Sequence, residues 1–198
     1  MNLPNKLTFA RLCMTPLFFI SFNLPTWFGE KYYTLSTVLV LILFVCIELT
    51  DLLDGIIARG RNLVTDLGKV MDPFADTFSR LTYFVCLMTV GIMPVIAFIV
   101  IMWREFAQSF VRMLMMREGK ALPANIWGKS KAVLYAVSAV LGVIYLAIVR
   151  VMPSANWITT AGTILTVIFY LAAIASVASF LTYIKGIKET KALDNITR

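Results

Sequence analysis

The sequence contains no histidine, only three cysteines, and eleven acidic residues against eighteen basic ones. Cys13, Cys46 and Cys86 are scattered through apolar runs with no metal-ligand spacing. Zinc is therefore argued against, and any bound metal must take oxygen ligands. The same spacing gives no disulfide framework, and the three read as small buried hydrophobes. Charge of either sign is scarce. Charged residues make up 15% of the chain and hydrophobic ones 60%, where a soluble domain carries about 25% and about 45–50%. With a mean hydropathy of +0.83, this excludes an ordinary soluble domain and points to an integral membrane protein.

What is present is long apolar runs. A membrane-crossing helix needs about 20 mainly apolar residues, and six segments qualify, at about 7–24, 34–58, 72–90, 92–116, 131–149 and 157–184. They predict an all-α protein of six transmembrane helices in a single membrane domain covering 1–198. Gly91 and Pro94 mark the turn between the third and fourth spans, and Asn5 is the expected cap of the first. No small-residue cleavage site follows Phe22, so the first run reads as a span and not as a removable leader. The formal net charge is +7. The bases stand at the ends of apolar runs without interleaved aromatics, which argues against a nucleic-acid partner and for topology and anionic lipid or phosphate contacts. If the N-terminus is cytoplasmic, Lys6, Arg11, Arg59, Arg61, Lys69, Arg112, Arg117, Lys120, Lys129, Lys131 and the basic C-terminal tail share its side. The opposite loops then hold only Lys31 and Arg150. The positive-inside rule thus places both termini in the cytoplasm.

The scarce acids are concentrated. Asp51 and Asp54 lie three apart at the end of the second span; Asp72 and Asp76 lie four apart at the start of the third. Each pair shares a helix face, so two facing helices bring four carboxylates to one point. Unpaired, they would repel one another at the edge of a bilayer. A divalent cation relieves that repulsion, and hard oxygen ligands favour magnesium, manganese or calcium. The bland alternative is a solvated acidic loop paired with Arg59, Arg61 and Lys69. Gly55, Ala58 and Gly68 permit close approach of a ligand or another backbone, and Arg59 offers a planar fork suited to phosphate.

This arrangement, Asp51-x-x-Asp54-Gly55-x-x-Ala58-Arg59, eight residues, then Gly68-x-x-x-Asp72-x-x-x-Asp76, resembles the signature of the CDP-alcohol phosphatidyltransferases. The resemblance implies six transmembrane helices, a homodimer, and transfer of a phosphatidyl group from a CDP-linked lipid to an alcohol with release of CMP. It implies that Asp51, Asp54, Asp72 and Asp76 hold two divalent cations, Mg2+ or Mn2+, and that Asp76 is also the general base. Asp51, Gly55, Ala58, Arg59, Thr65 and Gly68 would line the cytidine-diphosphate site.

Three further stretches, Asn2–Arg11 (NLPNKLTFAR), Arg104–Arg112 (REFAQSFVR) and Gly128–Lys131 (GKSK), resemble the bacterial phosphatidylglycerophosphate synthases within that family. They imply CDP-diacylglycerol as donor, glycerol 3-phosphate as acceptor, and a place in the cell (inner) membrane. Asn5 and Thr8 join the candidate residues of the first stretch. Arg104, Arg112, Lys129 and Lys131 suit the phosphate of such an acceptor; for Arg104 the alternative is an ion pair with Glu48 or Glu105. Thr77 stands where the subgroup usually has lysine, and Glu48 where small or weakly polar residues are common, so both make the site less positive. Rival readings are another acceptor (inositol phosphate, serine, choline or phosphatidylglycerol), a cation transporter, and an inactive scaffold of the same fold.

Overall fold

The computed structural model describes residues 2–60, 65–117, 126–154 and 156–189. They form six helices, α1 Leu3–Phe28, α2 Tyr33–Gly60, α3 Asp66–Thr89, α4 Val95–Arg117, α5 Ile126–Val151 and α6 Ile158–Glu189, with a 3-10 turn at Glu30–Tyr32 and no strand among the described residues. Each helix coincides with an expected span. Four stretches, Leu3–Phe28, Glu30–Ile57, Ser130–Val151 and Ile158–Lys185, are long and apolar enough to cross a membrane. α3 and α4 miss that measure because charge interrupts them: Asp72, Asp76 and Arg80 in one, Arg104, Glu105 and Arg112 in the other.

Three boundaries differ from expectation, each for a local reason. The cap of α1 is Asn2, not Asn5: its side chain accepts from the Asn5 amide at 3.1 Å, and Pro4 sits in the first turn, where its missing N–H costs nothing. α3 begins at Asp66, six residues before the expected start. Thr65 caps it, its hydroxyl accepting from the Gly68 amide at 3.0 Å, so Pro73 lies inside the helix and Asp72 is not its cap. α4 begins at Val95 because Gly91, at φ 74°, turns the chain, and the amides of Gly91 and Ile92 bond back to Met88 and Leu87.

α1 packs on α2 and α3, and α6 on α4 and α5. Two aromatic clusters join these groups at the core. Tyr83 of α3 meets Phe18 of α1 and Phe44 of α2 edge-on, at 4.8 and 5.0 Å between ring centroids. Phe84 meets Tyr135 of α5 and Phe169 of α6, both at 5.9 Å. Adjacent residues of α3 thus face opposite halves of the bundle. At the end remote from the acids, Arg150 of α5 donates to Ser36 of α2 at 3.0 Å and to the Phe22 carbonyl of α1 at 3.4 Å, and lies over the Phe22 ring.

The outer surface is apolar. On α2, Leu35, Val38, Ile42, Val45, Leu49, Leu52 and Ile56 recur at three- and four-residue steps, and all are exposed. Water would penalise such a stripe; a bilayer solvates it. Cys13 and Cys46 lie exposed on these outer faces, against the expectation of burial, and only Cys86 is in the core.

α5 packs tightly against the core at Gly142. A Cβ there would lie 2.5 Å from a methyl of Leu87 and 3.3 Å from the ring of Phe169. Gly142→Val should therefore destabilise the bundle by about 1–3 kcal/mol through overpacking, read as a lower thermal midpoint of the detergent-solubilised protein. An unchanged midpoint would mean that the core yields there.

Candidate active site

α2 and α3 bring their acids to one end of the bundle as the spacing requires. Carboxylate oxygens of Asp51, Asp72 and Asp76 lie within 4.8 Å of one another. The side chains of these three keep 31%, 47% and 39% of their exposure, whereas that of Asp54 keeps 4%, so the cluster is a cup with Asp54 at its floor. Thr8 of α1 donates to the Asp54 carboxylate at 3.0 Å.

One cation already stands in the cup. The Arg11 guanidinium, 1% exposed, donates to Asp51 and Asp76 through Nη1, the latter at 2.5 Å, and to Asp54 and Asp72 through Nη2, at 3.1 and 2.5 Å. Sequence reasoning used Arg11 only to orient the chain. The overlooked signal was periodic: Asn5, Thr8, Arg11 and Thr15 form one polar stripe along an apolar helix, and all four are buried. Such a stripe must meet polar partners. One guanidinium offsets only one of four carboxylates. All the acidic donors are hard oxygens, so the set fits divalent cations of the magnesium or manganese kind.

At the N-terminal ends of α1 and α3, Asn5 donates to the Thr65 hydroxyl at 3.0 Å. Gly68 makes room for this contact, since a Cβ there would lie 2.9 Å from Asn5 Oδ1 and 3.2 Å from Thr65 Oγ1. The close approach at Gly68 is thus with α1. Gly55 lies half-buried one residue after Asp54. Ala58, Arg59 and Lys129 lie outside the residues whose side chains are described.

Beside the cup, α3, α4 and α5 line a cavity of about 100 Å³ that is open on one side. Asp76 lines it as well as the cup, together with Thr77, Arg80, Glu105, Arg112 and Lys131. Arg112 and Lys131 are where the sequence placed acceptor contacts. Arg80, one turn after Asp76, is a lining residue that sequence reasoning did not assign to the site. Arg104 does not line the cavity: it is buried against α6, bonded to the Ser176 carbonyl at 3.1 Å and the Ser179 hydroxyl at 3.2 Å, and paired with Glu105 at 2.7 Å. Glu48, one turn before Asp51, is half-buried.

The chain is similar to known proteins over most of its length. Residues 1–169 match the CDP-alcohol phosphatidyltransferase family. A Treponema pallidum protein named CDP-diacylglycerol–glycerol-3-phosphate 3-phosphatidyltransferase is 30% identical over 191 residues, 93% of this chain and 88% of the relative. A Bacillus subtilis protein of the same name is 37% identical over 147 residues, 71% and 76% of the two chains. A third, from Rickettsia felis, is 33% identical over 180 residues, 87% and 94%.

Arg11→Met should leave the four acids unbalanced and lower the stability of chelator-treated protein by about 2 kcal/mol, less than for a fully buried pair because three partners reach solvent. Added Mn2+ should restore more of the melting temperature in this variant than in the parent. Equal melting curves with chelator present would rule out a balancing role.

Proposed function

The chain belongs to the CDP-alcohol phosphatidyltransferase family, and on that premise we propose that it transfers the phosphatidyl group of CDP-diacylglycerol to glycerol 3-phosphate, giving phosphatidylglycerophosphate and CMP. One observation carries this reading: Asp76 belongs at once to the acid cup and to the cavity lined by Arg80, Arg112 and Lys131. A metal-bound pyrophosphate and a phosphorylated alcohol would meet at that residue. The names of the three relatives support the same donor and acceptor.

Asp51, Asp54, Asp72 and Asp76 would hold two divalent cations, Mg2+ or Mn2+. When bound, these neutralise the pyrophosphate and stabilise the charge on the departing CMP. The protein's own groups do the rest. Arg80, Arg112 and Lys131 bind the acceptor phosphate by charge-assisted hydrogen bonds. That aims the acceptor hydroxyl at Asp76, which takes its proton as the oxygen attacks phosphorus. The new bond joins acceptor oxygen to the phosphatidyl phosphorus, and the bond to CMP breaks with its electron pair leaving on CMP. Gly55, Ala58, Arg59, Thr65 and Gly68 stand on the segment that would receive the cytidine diphosphate. The lipid tails stay among the apolar outer faces of the helices.

The same reading takes residues 1–198 as one membrane domain of the cell (inner) membrane, acting as a homodimer, with both termini and the acid cup on the cytoplasmic side. The positive-inside distribution of Lys and Arg supports that orientation.

Purified protein with CDP-diacylglycerol should release CMP with glycerol 3-phosphate and far more slowly with inositol phosphate, serine, choline or phosphatidylglycerol. A chelator should abolish the release, and Mg2+ or Mn2+ should restore it. Asp72→Asn and Asp76→Asn should each lower kcat by at least about 100-fold, the scale of losing a general base or a metal ligand. Preference for another alcohol in the panel would overturn the choice of acceptor; metal-independent turnover would overturn the mechanism.

A further inference from the structure

Glu105 is, with Asp76, an acid on the wall of a cavity whose Arg80, Arg112 and Lys131 suit an anion. Left bare, it would repel an incoming phosphate. Its contacts give it another role. Oε1 accepts from Lys131 Nζ at 2.8 Å and from Arg104 Nη1 at 2.7 Å, and Oε2 lies 3.4 Å from the Thr77 hydroxyl. Arg104 approaches from outside the cavity lining, and its other donors are committed to Ser176 and Ser179 of α6. The Glu105 charge is therefore offset from behind, and Lys131 is held without being cancelled. The Lys131 ammonium also lies 4.6 Å over the Tyr135 ring, a second hold on the same group. A free lysine side chain loses rotamer entropy when fixed, and here that loss is met before any acceptor arrives. Thr77, next in sequence to Asp76, ties the assembly to α3.

We propose that Glu105 is a positioning residue for the acceptor. Backed by Arg104, it fixes the Lys131 ammonium in the cavity, and so makes the pocket select an alcohol that carries a phosphate monoester over a neutral one. This rests on the acceptor reading given above. It also gives Arg104 a part in the acceptor pocket without contact: it acts through Glu105 and Lys131.

The test uses the full chain in detergent micelles containing CDP-diacylglycerol, with CMP release followed against glycerol 3-phosphate concentration. Glu105→Ala should raise KM for glycerol 3-phosphate roughly 10- to 100-fold, the scale of a charge-assisted hydrogen bond, with a much smaller change in kcat. The KM for CDP-diacylglycerol should stay within a factor of about two, and Glu105→Asp should recover part of the acceptor KM. Lys131→Met should show the same KM effect. The double variant Glu105→Ala/Lys131→Met should be no worse than Lys131→Met alone, because one residue acts through the other. Additive single effects, a fall in kcat at unchanged acceptor KM, or equal loss for both substrates would overturn the proposal. If Glu105→Ala fails to fold, Glu105→Asp decides by the same comparison of the two KM values. The unmutated protein's preference reports separately on the acceptor itself. If inositol phosphate replaces glycerol 3-phosphate, the acceptor reading fails while the Glu105 ratios are scored on inositol phosphate. Preference for serine or choline overturns both.

Discussion

Four carboxylates on two neighbouring helices repel one another, and the guanidinium of Arg11 lets them stand together at the rim of an apolar bundle. It donates to all four, and the rest of that end follows from it. α1 must lie against both α2 and α3 to deliver Arg11, so it carries a polar stripe through an otherwise apolar helix. Asn5 then meets Thr65, Thr8 meets Asp54, and Gly68 must lack a side chain for α1 to come so near. At the opposite end, Arg150 joins α1, α2 and α5 through neutral oxygens, the Ser36 hydroxyl and the Phe22 carbonyl.

α3 organises the remainder. One of its faces completes the acid cup with α1 and α2; another lines the cavity with α4 and α5. Asp76 belongs to both. The neighbouring aromatics repeat this division deeper in the bundle, Tyr83 facing α1 and α2, and Phe84 facing α5 and α6. A rigid aromatic core below the charged end keeps the two compartments in fixed register.

The acids were legible in the sequence because so few polar residues interrupt the apolar runs, and helical spacing alone then says which share a face. The six helices were legible for the same reason. The start of α3 was not: Thr65, Asp66, Gly68 and Lys69 read as a polar loop, whereas Thr65 caps the helix through the Gly68 amide and also meets Asn5, sixty residues away. Arg11 and Arg104 show a further limit. A base within an apolar run can serve topology, a ligand or an ion pair. Sequence cannot choose when the deciding partners are as remote as Asp76 is from Arg11, or Ser176 and Ser179 from Arg104.

Because α3 is committed on two sides, little of it is free to vary. A change on the cup face disturbs the aspartates, and a change on the cavity face stands within a turn of Asp76. The far walls of the cavity, on α4 and α5, carry no such double duty. Diversification of the alcohol among proteins of this architecture is therefore cheapest through those walls, with the donor half inherited intact.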